Sequence, residues 1–222
     1  MKKKVAVILC GAGFKDGSEI HEAVFTLNAL SANGAEVQCF AQNAPQADVV
    51  DCLSGSPMSD TRNQLVESAR IARGKVKRLS DLDATEFDAL ILPGGFGAAK
   101  NLCDYASKGT EASVRPEVAR ALDGFWNLKK PIGAICIAPM VLALHFKGKG
   151  LTLTLGPVDQ DLDSQMKVLG HRHVPKSVTD TCVDETRPIA STPAYMHENP
   201  AMHEVDEGIR KLVASVLSMI SK

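Results

Sequence analysis

The residues with chemical potential in this 222-residue chain gather in three short glycine-containing stretches. They are CGAGFKDGSEIHEA (10–23), LPGGFGAAKN (92–101) and GAICIAP (133–139). In the third, Cys136 stands where an apolar, strand-like run gives way to a helix-like one, with small residues on both sides. A strand-to-helix turn of this kind serves as a nucleophile elbow. A helix start there lowers a thiol pKa and offers amides to an oxyanion. The competing view is a buried structural thiol, since free cysteine is among the most buried residue types. The other five cysteines, at 10, 39, 52, 103 and 182, are read that way, with Cys10 and Cys103 close to the reactive edge. In the second stretch Pro93-Gly94-Gly95 forms a turn directly after an apolar run. Such a turn either meets a need for positive φ or points an amide at developing negative charge. In the first, Glu19 and Glu22 lie three apart on one helix face, where acids near an N-terminus interact favourably with the helix dipole. That is sufficient reason for Glu19, while Glu22 has the two readings open.

Other motifs carry less. Gly11, Gly13 and Gly17 give a GxGxxxG after the first strand, but the second strand, AEVQCFA, lacks the acid that would hold a ribose. A plain tight turn is the preferred reading. His171 and His173 form an HxH without a third ligand, so GHRHVP reads as polar surface and no metal is expected.

These stretches need a scaffold that brings them together. Apolar runs at KKVAVILC, AEVQCFA, KVKRL, FDALIL and KPIGAIC alternate with helix-like segments at 18–34, 61–74 and 138–146. In the first of these helices Ile20, Ala23, Val24, Leu27 and Leu30 mark the apolar face. LTLTLG reads as a strand, TCVDETRPIAST as a hairpin turning at Arg187-Pro188, and 204–220 as an amphipathic helix. The alternation predicts an α/β fold with a mainly parallel sheet and helices on both faces, as a single domain over 1–222. Ligands in such sheets bind at the carboxyl ends of the strands.

Composition narrows the function classes. A net charge of −1 and 5% aromatic residues speak against nucleic acid and anionic membrane surfaces. Six cysteines without a CxxC pair read as reduced thiols. The expected compartment is the cytoplasm or, for a chain without its targeting peptide, an organelle.

Taken together, ILPGGFGAAKNL, GAICIAP and DGSEIHEAV resemble the DJ-1/PfpI superfamily, relatives of class I glutamine amidotransferases. CGAGFKDGSEIHEAV, TRNQLVESARIARG, LPGGFGAAKNL, CIAPMVL and STPAYM resemble its ElbB/ES1 branch, nearly end to end. The resemblance implies a flavodoxin-like three-layer sandwich, a homodimer, and an elbow cysteine at Cys136 paired with Glu22. It also implies Gly95 and the Ile137 amide as oxyanion donors, with Gly94 in the same substrate-binding turn. A histidine directly after the cysteine is missing (Ile137 stands there), which counts against a peptidase. An H-x-E is also missing, with only His-Glu neighbours at 197 and 203, both read as solvated, and this counts against a glutaminase. In TLGPVDQD only Asp159 stands where a further catalytic histidine would approach. The activity the resemblance leaves is a glyoxalase without metal or cofactor, acting on a small reactive carbonyl. Glyoxal or methylglyoxal would become glycolate or lactate through a Cys136 hemithioacetal. Such a pair requires a protonated Glu22 beside a stabilised thiolate. The alternative is a redox sensor or a metabolite- or partner-binding protein, linked by the resemblance to isoprenoid metabolism.

Overall fold

The computed structural model describes residues 2–220. Its strands and helices alternate in chain order: β1 (Lys4–Leu9), α1 (Ile20–Ala32), β2 (Glu36–Ala41), α2 (Gln64–Ile71), β3 (Val76–Arg78) and β4 (Ala89–Leu92). A single π-helical turn (Ala98–Leu102) precedes α3 (Tyr105–Lys108), α4 (Pro116–Asn127), β5 (Ile132–Ile135) and α5 (Ala138–His145). The chain finishes with β6 (Thr152–Leu153), α6 (Gln160–Val168), β7 (Arg172–His173), β8 (Cys182–Val183), β9 (Ile189–Thr192) and α7 (Met202–Ser218).

Seven strands form one sheet in the order β3-β2-β1-β4-β5-β9-β8, parallel except for β8. Strand residues alternate between two cores with the period of two that a pleated strand imposes. Ala6, Ile8, Leu90, Leu92 and Ile132 face the side covered by α4 and α5. Val5, Val7, Leu9, Ile91 and Ala190 face the side covered by α1 and α7. This is the expected three-layer, mainly parallel α/β architecture. The order reverses between β1 and β4, and a crevice at such a reversal is where ligands bind. The loops after β1, β4, β5 and β9 all emerge at this carboxyl edge.

Three elements depart from the sequence reading. The strand expected over LTLTLG shrinks to Thr152–Leu153, which pairs in parallel with Arg172–His173 in a separate sheet. Beyond it the Thr154 amide turns to the Ser191 hydroxyl instead. Helix α1 is rotated from its expected apolar face: it buries Glu22, Ala23, Thr26, Ala29 and Leu30, and leaves Ile20 and Val24 almost half exposed. The GHRHVP segment is not polar surface. His171 is buried, accepting from the Leu151 amide and donating to the Ala143 carbonyl, and burial holds it below the usual histidine range. The His173 ring is also buried, against Asp163.

The edge is drawn tight by backbone contact. Gly97 lies so close to Gly17 that a side chain on it would come within 2.5 Å of Gly17 backbone atoms. The Gly97 amide donates to the Gly17 carbonyl at 3.0 Å, and the Glu19 amide to the Gly94 carbonyl at 2.9 Å. The loop after β1 is thereby fastened to the loop after β4, which accounts for Gly17, while Gly11 and Gly13 take positive φ in the turn before it. Gly97→Ala is expected to destabilise the fold by about 1–3 kcal/mol, the usual cost of overpacking, read as a lower urea midpoint. An unchanged midpoint would contradict the close contact.

Candidate active site

Cys136 sits between β5 and α5 with φ of +60°, a left-handed conformation that costs a non-glycine residue roughly 1–2 kcal/mol. The surrounding backbone holds it there: its amide donates to the Thr192 carbonyl at 2.9 Å, continuing the β5–β9 ladder by one rung. The result is the expected elbow. The thiol is turned toward α1, and Cys136 is only 7% exposed.

Glu22 meets it from the first helix. The carboxyl is fully buried beside the Cys136 thiol, the two side chains flanking Gly94, and each shifts the other's pKa. Its Oε2 accepts from the Gly94 amide at 2.9 Å, and its Oε1 lies 3.5 Å from the Tyr195 amide. The rotation of α1 follows from these contacts, because the helix must turn Glu22 rather than Ile20 or Val24 toward the sheet. Gly94 lies between the two partners. A Cβ there would fall 2.5 Å from the Cys136 Cβ and 2.7 Å from Glu22 Oε2. Gly94 therefore holds the carboxyl, a different position from the substrate-binding one expected of it. The amides of Gly95 and Ile137 do face the sulfur, and both pull its pKa down.

Burial is the largest electrostatic effect on both members. It pushes Glu22 from its ordinary 4.5 up to about 8, helped by the neighbouring Glu19 charge and opposed by the thiol and amide contacts. The carboxyl is protonated at neutral pH, as the pairing requires. Burial, then the Glu22 charge, also hold Cys136 well above the ordinary thiol value, outweighing the two amides. Both effects act against the thiolate expected of the resting pair. Like charges cannot coexist here, so protons leave the pair one at a time.

Above the pair lies a cleft of about 190 Å³ lined by Phe14, Glu19, Gly95, Phe96, Cys136, Ile137, Tyr195 and Met196. Glu19 caps α1, its Oε2 accepting from the Glu22 amide at 2.7 Å. It is half-buried, and burial raises its pKa. This goes beyond the dipole role read from its position. The sequence reading missed Phe14, Phe96, Tyr195 and Met196, although STPAYM was visible as a motif directly after the β9 strand. Tyr195 also carries a bond to His21, hydroxyl to Nδ1 at 2.8 Å. Asp159 is occupied elsewhere, capping α6 through the Asp161 and Leu162 amides. Cys10 and Cys103 are buried thiols pushed up to about 12 and about 11, mainly by desolvation. His197 is half-buried and donates to the Lys176 carbonyl, while His203 is exposed. Among the described residues no group of three or more His, Cys, Asp or Glu side chains is placed to hold a metal ion.

The buried carboxyl has a stability signature. In the folded chain Glu22 keeps its proton up to about pH 8, and in the unfolded chain only to about 4.5. Its contribution is full below pH 4.5 and is lost as pH rises toward 8. Relative to Glu22→Gln, which cannot titrate, the wild type should lose on the order of 4 kcal/mol across that window. Urea denaturation of both proteins at pH 4.5 and pH 8.5 measures it; parallel pH dependences would contradict a buried neutral carboxyl.

The comparisons with known proteins agree with this geometry. The family model described as DJ-1/PfpI matches residues 3–195. The ES1 protein homolog, mitochondrial, of Rattus norvegicus is 43% identical, over 100% of this chain and 85% of that protein. The glutamine amidotransferase-like class 1 domain-containing protein 3, mitochondrial, of Homo sapiens is 42% identical, over 99% of this chain and 84% of that protein. A crystal structure of an isoprenoid biosynthesis protein with amidotransferase-like domain from Ehrlichia chaffeensis superposes with a TM-score of 0.90 at 37% identity, covering 99% of this chain and 100% of that one. On the family match and on relatives that cover almost the whole chain, this protein belongs to the DJ-1/PfpI family, with ES1 proteins among its homologues.

Proposed function

We propose that the chain is a cofactor-independent glyoxalase in which Cys136 is the nucleophile and Glu22 the proton carrier. The observation that carries this reading is a buried carboxyl, its pKa raised to about 8, set against an elbow thiol at the floor of an apolar cleft. When the pair loses one proton, the remaining one is shared between carboxylate and sulfur. Sulfur attacks the aldehyde carbon of a 2-oxoaldehyde with the proton on Glu22, so no standing thiolate is needed. The carbonyl electron pair moves to oxygen, where the Gly95 and Ile137 amides stabilise it. Glu22 protonates that oxygen, giving the hemithioacetal. As carboxylate it then removes the proton from the former aldehyde carbon to give an enediol, and delivers it to the neighbouring carbon while the hemithioacetal hydroxyl proton passes to that carbon's oxygen, leaving a 2-hydroxy thioester. Water hydrolyses the thioester, releasing a 2-hydroxy acid and regenerating the thiol. One water is consumed and no net oxidation occurs.

The redox-sensor alternative needs a thiolate at rest, and the raised Cys136 pKa disfavours it. An isoprenoid role, suggested by the name of the Ehrlichia protein, would call for cations to hold a diphosphate; no Lys or Arg lines the cleft. Free cysteines at all six positions suit a reducing compartment, either the cytoplasm or the mitochondrial location carried in the rat and human names. The homodimer implied by the resemblance remains part of this reading.

Release of lactate from methylglyoxal, without added thiol or metal, tests the mechanism. Wild type should form product with a rate that rises as pH passes through about 8, where the pair first loses a proton. Cys136→Ala should form none, and Glu22→Gln should fall by about a hundredfold or more, the usual weight of general acid–base catalysis. Equal rates in Glu22→Gln and wild type would remove the carboxyl from the mechanism, and no product from wild type would overturn the glyoxalase reading.

A further inference from the structure

The walls of the cleft say more about the substrate than the catalytic pair does. Beyond Cys136 and Gly95 they are Phe14, Phe96, Ile137, Tyr195 and Met196, with Glu19 as the one carboxylate and no Lys, Arg or His among the lining residues. Phe14 and Phe96 are 43% and 56% exposed, an unusual position for two large apolar rings on adjoining loops. Their backbones are joined by a bond from the Phe96 amide to the Phe14 carbonyl at 2.8 Å, so the two loops hold the rings as neighbours. Past these rings and Tyr195 the cleft continues into an outer groove bordered by His21, His197 and Asn199.

Size argues in the same direction. At about 30 Å³ per water, a cleft of about 190 Å³ has room for roughly six waters. Glyoxal would leave much of that space to water against apolar walls. An apolar cavity of about 150 Å³ is enough to bind benzene. The Glu19 carboxylate disfavours phosphorylated or carboxylated carbonyls, and no Lys or Arg lines the cleft; the Lys15 ammonium is engaged with the Phe14 ring, 5.3 Å from its centroid.

We propose that the Cys136 cleft selects 2-oxoaldehydes carrying an apolar substituent of aryl size, seated against Phe14 and Phe96, in preference to glyoxal and methylglyoxal. This narrows the glyoxalase reading and rests on it for turnover, while the preference of the cleft can also be measured by binding alone.

Two readouts separate the claims. In the first, kcat/KM is compared for phenylglyoxal, methylglyoxal and glyoxal in wild type, Phe14→Ala and Phe96→Ala. Phenylglyoxal should lead glyoxal by roughly tenfold to a hundredfold in wild type, and that ratio should drop at least severalfold in each variant. In the second, benzaldehyde and acetaldehyde compete with iodoacetamide for Cys136, followed by peptide mass analysis. Benzaldehyde should protect at the lower concentration although it is the weaker electrophile. If no 2-oxoaldehyde is turned over but benzaldehyde protects better, the catalytic reading fails and the selectivity stands. Equal or reversed protection, or a substrate ratio untouched by both substitutions, overturns the selectivity whatever the turnover.

Discussion

A fully buried carboxyl set against a nearly buried thiol fixes the terms for the rest of this structure. Two anions at that separation repel, and burial penalises each of them singly. The pair must therefore keep a proton at neutral pH, and Glu22, raised to about 8, holds one. The arrangement costs stability, as sites poised for chemistry commonly do. It yields a nucleophile that remains a thiol until a proton can leave. Such a cysteine is protected from casual oxidation yet needs only a small change in protonation to attack.

The fold meets this demand by converging four loops on one edge of the sheet. The elbow at +60° turns the sulfur from the sheet toward α1, and the strand ladder beside β9 holds that strained residue in place. Contact between Gly17 and Gly97 brings the start of α1 against the turn after β4. Gly94 then has the two reacting side chains on either side of it and donates its amide to the carboxyl. A side chain at Gly94 would force the pair apart, so bare backbone at this position is as necessary as Cys136 and Glu22. The segment after β9 completes the site by supplying Tyr195 and Met196 as a wall.

Much of this was legible in the chain because it rests on local patterns. Strands buried on both faces show as continuous apolar runs, and the elbow shows as Cys136 between small residues at the end of one of them. Glu22 was harder, since at helical spacing it sits among apolar residues that look like the buried face. Only tertiary contact with Gly94 and Cys136 decides which way the helix turns. The cleft walls were less legible still. Phe14 and Phe96 occur singly in glycine-rich loops, and nothing in their spacing shows that an amide-to-carbonyl bond joins them. His171 and His173 misled for the opposite reason: backbone groups satisfy both nitrogens of His171 and Asp163 pairs with Nδ1 of His173, and those partners lie 10 to 28 residues away in the chain.

The central claim is that Glu22 stays protonated beside Cys136 at neutral pH. Infrared difference spectra between wild type and Glu22→Gln, taken across a pH titration, observe that proton directly through the carbonyl stretch of a neutral carboxylic acid. The account predicts a neutral-carboxyl band in wild type at pH 7 that disappears as pH passes through about 8. A band lost near the ordinary value of 4.5 would mean an ionised Glu22 at neutral pH and would contradict the account.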